Sequence, residues 1–441
     1  MASVAERLLV SACALTRTTE WATRLLGPRR FLPALFSDRF THLGGIERAV
    51  FERQLSKCRS FADNRWTPYW EAVAAEHLAV ADAALSTLGG PSTRQLLDPS
   101  AVDTSVLGEL LAPAVEILAD RGAIAPKHAV PEFSARYPES RTAATALDAL
   151  IKTMVYEFVA AWPGWTPRRL RAYETSHRLG EVLVTALAPA MGVDVEVVRI
   201  PLGGDDAVRG YLMTPHGVDR VPTVLVTNGV EGTLAEAMLP VLAHRDRGMG
   251  VFVMEMPGTY SYREPLAPAA ERVYTTVIDY LSAHDRVDAD RLGMMGLSFG
   301  GYWATRLAAT DRRLRVAIAN GAPTHRSFQI GSATGLPEIM VSTLRSATGA
   351  TSVVDLTRRL TAMSLREYYS RIEIPMLVIN GTDDTLIATR DSIDIAAAAP
   401  RAQLALYAGD DHCAMEHADQ WMELSIRFLA EHLAVAEQVV R

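Results

Sequence analysis

A serine flanked by glycines is the clearest chemical feature of the sequence. Ser298 is the centre of a G-x-S-x-G segment that extends from Gly296 to Gly300. The segment lies between a β-rich run and a helical pattern, so we predict a tight strand-to-helix turn with glycines where side chains would clash. The positive end of the following helix would stabilise an oxyanion formed there. Ser298 is therefore predicted to be a nucleophile.

An acid and a base follow Ser298 in the order serine, acid, histidine, which this arrangement requires. Asp384 comes shortly after a β-rich run, and His412 follows the last β-rich run of the chain. His412 would accept the proton of Ser298, and Asp384 would orient the imidazole and stabilise its charged form. Asp383 stands beside Asp384 and is the alternative acid. The sequence thus predicts a triad of Ser298, Asp384 and His412.

An oxyanion hole needs two backbone N–H donors. Phe299, directly after the serine, would supply one of them. Val230 would supply the other, because it lies in the loop after a β-rich run over 223–227 and follows Gly229, which lets the backbone approach a substrate. This loop lacks the glycine spacings of the phosphate-binding motifs, so we expect no nucleotide site there.

The elements that must position these groups lie in the second half of the chain. A hairpin pattern over 193–213 is followed by short β-rich runs that alternate with helical patterns. Such alternation predicts an α/β fold, with a mostly parallel sheet and helices on both of its faces. The β-rich runs cover 223–227, 251–254, 291–295, 315–319, 375–379 and 403–407, and the helical patterns cover 234–246, 270–284, 300–310 and 418–438.

The first half of the chain has a different pattern, without a convincing strand. Apolar residues recur every three or four positions over 66–87, which indicates a helix that Asn64 could cap, and other helical patterns follow. We therefore predict two domains, a helical domain over 1–192 and a catalytic domain over 193–441. The apolar run over 8–15 continues with helical spacing and is interpreted as part of one amphipathic helix, not as a signal peptide. The other helical patterns cover 103–121, 141–161 and 167–190.

Composition restricts the function further. The 441 residues include 44 basic and 51 acidic side chains, and this net charge of −7 argues against a nucleic-acid partner. The three cysteines lie far apart, so neither a disulfide framework nor a metal motif is expected. No apolar run reaches the roughly 20 residues that cross a bilayer, so we expect no membrane partner. The expectation is a cytoplasmic protein that binds a small molecule, with a homodimer as an option if the N-terminal helix is exposed.

The motifs resemble those of the α/β-hydrolase superfamily and, within it, of the FrsA-like esterase group, which includes 2,6-dihydroxypseudooxynicotine hydrolase and polyketide-shortening hydrolases. Three segments carry the resemblance: GVEGT at 229–233, GLSFGGY at 296–302, and the histidine–cysteine pair at 412–413. It covers residues 195–436 well and the helical half only in outline. It departs from the group at 256–260, where a G-x-G-type turn is usual.

The resemblance implies an α/β-hydrolase fold whose N-terminal helices form a cap over the site. It further implies a serine hydrolase, without metal or cofactor, for a bulky small molecule in polyketide-like secondary metabolism. The bond cleaved would be an ester or an activated carbon–carbon bond of the β-dicarbonyl type. Alternatives that keep the triad are an eliminating lyase, an acyltransferase and a serine peptidase. The substrate-binding candidates are Tyr260, Trp303, His325, Tyr173 and His177, and further aromatic residues of the cap are Trp66, Trp70, Tyr156, Trp162 and Trp165.

Overall fold

An eight-stranded, mostly parallel sheet forms the centre of the second half in the computed structural model, which describes residues 4–98, 103–118, 130–260, 262–329, 332 and 334–435. The strands are β1 Val193–Gly203, β2 Asp206–Pro215, β3 Val221–Thr227, β4 Gly250–Met254, β5 Val287–Leu297, β6 Leu314–Asn320, β7 Met376–Gly381 and β8 Ala402–Tyr407. Their spatial order is β1-β2-β4-β3-β5-β6-β7-β8. β2 pairs antiparallel with β1 and β4, and the remaining pairs are parallel. The predicted α/β fold is thus confirmed.

The central strands are largely apolar because helices cover both faces of the sheet. Every residue of β3 is buried. The helices that connect and flank the strands are α11 Leu234–Ala243, α12 Glu271–Ala283, α13 Phe299–Thr310, α14 Glu338–Thr348, α15 Val353–Ala362, α16 Arg390–Ala398 and α17 Ala418–His432. The patterns over 320–375 predicted neither α14 nor α15, which both lie between β6 and β7.

The described part of the chain before Val193 contains helices and no strand. Its helices are α1 Val4–Thr16, α2 Thr19–Leu26, α3 Phe36–Gly44, α4 Arg48–Lys57, α5 Asp63–Thr87, α6 Thr93–Leu97, α7 Thr104–Leu111, α8 Val130–Arg136, α9 Arg141–Ala161 and α10 Pro167–Leu187. The proposal that residues 1–192 form a domain of their own stays a prediction. The pattern predicted over 103–121 is α7 followed by a 3₁₀ segment at 112–118 that contains Pro113, and its last residues lie outside the described ranges.

Two local predictions need correction. The N-terminal amphipathic segment is two helices instead of one, because Arg17 adopts a φ of +57° between α1 and α2 and so interrupts the right-handed path. Helix α5 begins at Asp63, so Asn64 lies inside the helix and does not cap it. The residue at the cap position, Ala62, makes no side-chain hydrogen bond to the helix.

An aromatic core holds the helices of the first half together, and α10 packs closely on α11 of the second half. The indole of Trp66 on α5 donates to the carbonyl oxygen of Val159 on α9 at 2.8 Å. Gly180 on α10 lies against α11, where an added Cβ would come within 2.8 Å of the Cβ of Ala235. Within the described ranges, no helix is both long and apolar enough to cross a lipid bilayer, and no three His, Cys, Asp or Glu side chains come together as ligands for a metal ion.

Candidate active site

Ser298 lies in a strained turn between β5 and α13. Its backbone has φ +54° and ψ −123°, a region that costs about 1–3 kcal/mol for a residue with a side chain. The turn is held by a hydrogen bond from the Ser298 N–H to the carbonyl oxygen of Asn320 at 2.7 Å. A side chain at Gly296 would overlap the backbone of Gly300, and a side chain at Gly300 would overlap the backbone of Thr227, which explains the glycine on each side of the serine. The turn places the serine hydroxyl 2.9 Å from Nε2 of His412.

The side chains of Ser298, His412 and Asp384 form one hydrogen-bonded series. The Nδ1 atom of His412 lies 2.8 Å from Oδ2 of Asp384, and its Nε2 lies 2.9 Å from Oγ of Ser298. With Nδ1 as the donor to the carboxylate, Nε2 is free to accept the serine proton. Asp383, the alternative acid, instead accepts the hydroxyl of Thr382 at 3.3 Å.

The acid of this series is completely buried and fully hydrogen-bonded. Oδ1 of Asp384 accepts the N–H groups of Leu386 and Ile387 at 2.8 and 2.9 Å, and Oδ2 also accepts the Asn380 amide at 2.9 Å. Burial opposes ionisation, but these donors and the nearby imidazole outweigh it and hold the pKa of Asp384 below its usual value. Burial also disfavours a charged imidazole, yet the carboxylate raises the pKa of His412 well above its usual value.

Two asparagines that the sequence patterns did not single out join the loops that carry Ser298, Asp384 and His412. Asn380, in β7, donates to Asp384 and accepts the N–H of Cys413 at 3.1 Å. The backbone carbonyl of Asn320, at the end of β6, accepts the N–H of Ser298, and its side-chain amide donates to the carbonyl of Cys413 at 3.1 Å. Both side chains are buried. Each asparagine is a polar residue near the carboxyl end of an apolar strand, and this sequence pattern could have predicted their place in the site.

The predicted oxyanion donors lie beside the serine. Phe299 is the first residue of α13, and Val230 lies in the loop after β3; both line the same cavity as Ser298. Among the described residues, neither N–H donates to a protein acceptor. A Cβ at Gly229 would lie 2.6 Å from the Cβ of Ser298, so the loop lies too close to the serine for a side chain at this position. Two N–H groups are thus available near the hydroxyl.

Glu231 fixes the loop that carries Val230. It has a φ of +70° and is completely buried, and its Oε1 accepts both the N–H of Gly164 and the hydroxyl of Thr343 at 2.8 Å. Its backbone carbonyl accepts the hydroxyl of Tyr260 at 2.8 Å and the guanidinium of Arg39 at 3.1 Å. Burial raises the pKa of Glu231 to about 7. One residue therefore connects the loop that carries Val230 to the helical half and to α14.

A cavity of about 730 Å³ opens at Ser298 and His412. Residues from α3, α11, α14, α15 and α17 and from the sheet line it, and most of its surface is apolar. Representative apolar lining residues are Phe36, Trp162, Phe328, Met340, Leu356 and Met415. A cavity of this size and character suits a small organic molecule.

None of the five predicted substrate-binding residues is among the described residues that line this cavity. Three of them form a buried stack behind the oxyanion loop: the rings of Tyr260 and Tyr173 are 4.1 Å apart, and those of Tyr173 and His177 are 5.8 Å apart. The hydroxyl of Tyr173 donates to the buried carboxyl of Glu255 at 2.8 Å. His177 lines a separate cavity of about 480 Å³ between α10 and the β1–β2 hairpin.

The other two candidates also lie outside the lining of this cavity. Trp303 is more than a turn into α13, is fully buried and packs on Tyr274 of α12 at 5.0 Å. His325 bonds through Nδ1 to the hydroxyl of Ser364 at 2.8 Å. Of the further cap aromatics, Trp162 lines the cavity, whereas Trp66 and Trp70 lie in the fully buried core.

The comparison with protein families matches residues 139–427 to the model of the FrsA-like esterases. The chain belongs to the FrsA-like esterase family. This confirms the resemblance inferred from the motifs. The match of this FrsA-like esterase includes α9 and α10 as well as the sheet, so the helical half is partly a feature of the family.

Curated relatives match this FrsA-like esterase over short segments. A 2,6-dihydropseudooxynicotine hydrolase from Paenarthrobacter nicotinovorans is 30% identical over 114 residues, 25% of this chain and 31% of the relative. Hydrolase LUC6 from Fusarium sp is 33% identical over 142 residues, 29% of this chain and 34% of the relative. The chain thus spans about a third of the length of these relatives.

Solved structures match over most of the chain. The crystal structure of a 2,6-dihydroxy-pseudo-oxynicotine hydrolase aligns with a TM-score of 0.58 and 18% identity, covering 82% of this chain and 97% of that one. Wild-type AbyA5 aligns with a TM-score of 0.57 and 21% identity, covering 79% and 95% of the two chains. At these identities the likeness establishes the fold, which is that of the α/β-hydrolases.

Proposed function

We propose that this FrsA-like esterase is a serine hydrolase in which Ser298 attacks a carbonyl carbon, His412 transfers the proton and Asp384 orients His412. The observation that carries the proposal is the hydrogen-bonded series of these three side chains at the wall of the cavity. The strained backbone of Ser298 supports it, because strain of this kind is characteristic of nucleophiles held in a fixed direction.

In the first half of the reaction, Oγ of Ser298 bonds to the carbonyl carbon while its proton passes to Nε2 of His412. The carbonyl oxygen becomes an oxyanion, to which the N–H groups of Val230 and Phe299 donate. The oxyanion then collapses and the bond to the leaving group breaks. His412 gives the proton to the leaving group, so the departing alkoxide of an ester becomes an alcohol and the departing carbanion of an activated carbon–carbon bond gains a C–H bond.

In the second half, water replaces the leaving group. His412 takes a proton from water, the resulting hydroxide adds to the acyl carbon, and the same two N–H groups stabilise the second oxyanion. Collapse releases the carboxylic acid, and the proton returns from His412 to Oγ of Ser298. Throughout, the buried Asp384 carboxylate stabilises the charged imidazole.

The substrate in this proposal is a bulky small molecule with an ester or a β-dicarbonyl group. The volume and apolar lining of the cavity support this class, because they fit the body of an organic molecule and exclude water from the reacting bond. The relatives that are named hydrolases of 2,6-dihydropseudooxynicotine and fungal hydrolases also support it.

The proposal is tested by intact-mass spectrometry after brief exposure to p-nitrophenyl acetate. We expect an added acetyl group or rapid release of nitrophenol with the unaltered protein, and neither with Ser298→Ala. Equal labelling of a folded Ser298→Ala variant would overturn the role of the serine. A β-diketone assayed in isotopically labelled water then separates the reactions: hydrolysis places the label in the acid product, whereas elimination and acyl transfer do not.

A further inference from the structure

The two faces of the central strands are not covered equally. Side chains of a strand alternate between faces, so Val226 and Leu225 of β3 point in opposite directions. Leu225 and Met294 are 1% and 0% exposed, whereas Val226 and its register partner Met295 of β5 are 7% and 5% exposed. These small values mark a gap between the sheet and the helices on one face only.

The gap is a continuous part of the cavity that opens at Ser298. We call it the inner lobe and define it by Val226, Met295, Ala237, Val241, Ile426 and Leu429, which all line that cavity. The first two lie on the sheet, the next two on α11 and the last two on α17. The six residues that define the lobe therefore all belong to the second half of the chain.

The inner lobe is deep enough to hold an alkyl chain of a substrate. Val224 also lines the cavity and lies three residues before the carboxyl end of β3. At about 3.3 Å per residue, the lobe extends roughly 10 Å below the sheet edge. Helix α11 runs back from that edge, so Val241 lies about 6 Å deeper than Ala237 at 1.5 Å per residue.

We propose that the inner lobe is a binding subsite for an unbranched apolar chain attached to the carbonyl that Ser298 attacks. The substrate class is then a ketone or ester with an alkyl arm, in addition to any group held under the cap. Each methylene buried in such a lobe strengthens binding about fourfold. An open apolar cavity also lowers the stability of the fold, so we infer that this one is kept because it binds part of the substrate. This inference rests on the proposed role of Ser298.

The catalytic test compares p-nitrophenyl octanoate with p-nitrophenyl acetate. We expect kcat/KM to be at least tenfold higher for the octanoate. Ala237→Phe fills the lobe from α11, and Ile426→Trp fills it from α17; each should lower the octanoate-to-acetate ratio at least tenfold. Arg427→Phe, on the exposed side of α17, is the matched control and should leave the ratio unchanged. A ratio unaffected by both filling variants, in folded proteins, would overturn the subsite.

A binding test separates this inference from the proposed function. Calorimetry with decan-2-one and Ser298→Ala measures occupation of the lobe without any reaction. We expect binding, and at least tenfold weaker binding when Ala237→Phe or Ile426→Trp is added. If no ester reacts in a serine-dependent way but the ketone binds in this pattern, the hydrolase proposal fails and the subsite stands. If esters react but the filling variants bind the ketone as tightly as Ser298→Ala alone, the subsite fails.

Discussion

An asparagine in place of Asp384 has nearly the same shape as the aspartate but reverses one hydrogen bond. Oδ1 accepts the N–H groups of Leu386 and Ile387, whereas Oδ2 faces His412 and Asn380. The amide oxygen of the variant would keep the two N–H groups, so its NH₂ group would face Nδ1 of His412. Nδ1 must then act as the acceptor, and the ring proton moves to Nε2.

A ring protonated at Nε2 cannot accept the proton of Ser298. This change of tautomer lowers kcat roughly 10⁴-fold in a triad, which corresponds to about 5.5 kcal/mol of activation free energy. The fold should survive, because the two backbone hydrogen bonds to the side chain remain. The NH₂ group also opposes the amide of Asn380, and losing that one hydrogen bond costs about 1 kcal/mol. We therefore expect Asp384→Asn to be almost inactive and to melt within about 5 °C of the unaltered protein.

The assay is steady-state hydrolysis of p-nitrophenyl acetate, with thermal melting of the same samples. Asp383→Asn is the matched control: its side chain faces Thr382, so its kcat should stay within about threefold of the unaltered value. The reasoning is refuted if folded Asp384→Asn retains more than a tenth of the activity, or if Asp383→Asn loses as much as Asp384→Asn.

Three further outcomes are expected. Because His412 must be neutral to act as a base and its pKa is raised, kcat/KM should rise with pH through a midpoint above 6.5, and a midpoint below that value would contradict the coupling to the carboxylate. Gly229→Ala should lower kcat about 10²–10³-fold with little change in KM, because the added methyl displaces the oxyanion loop from Ser298; kinetics that match the unaltered protein would exclude this. Burial raises the pKa of Glu157 to about 8, so between pH 4.5 and 8 the folded protein holds a proton that the unfolded chain has released, and the free energy of unfolding should fall as the pH rises. Urea unfolding of Glu157→Gln should show a free energy of unfolding without this pH dependence.

The sheet and the turn around Ser298 could be predicted because both depend on local patterns. The central parallel strands contain short apolar runs, and the turn around Ser298 requires glycines at fixed spacing. The choice between Asp383 and Asp384 is less local, because it depends on which side chain the loop after β7 turns inward. In the structure, the N–H groups of Leu386 and Ile387 hold Asp384 inward, and such backbone donors leave no trace in the sequence.

The cavity walls could not be predicted because they depend on how distant elements pack. Trp303 follows the serine closely in sequence, yet α13 leads away from the sheet edge and buries it against Tyr274. Tyr260 follows β4 at the same edge of the sheet as Ser298, but its hydroxyl donates to the carbonyl oxygen of Glu231 and not to the cavity. Helices α14 and α15 also line the cavity, although the sequence patterns over 320–375 predicted neither of them.

The contacts of Glu231 indicate that the helical half does more than cover the site. Its carboxyl accepts a hydrogen bond from Gly164, between α9 and α10, and another from Thr343 of α14, while its backbone carbonyl accepts the guanidinium of Arg39 from α3. Three elements that are distant in sequence therefore converge on the residue next to Val230. A change in any of them is therefore expected to alter the position of Val230, the proposed oxyanion donor, as well as the shape of the cavity. Substrate contacts made in the cap and the stabilisation of the oxyanion are for this reason expected to be linked through a single buried side chain.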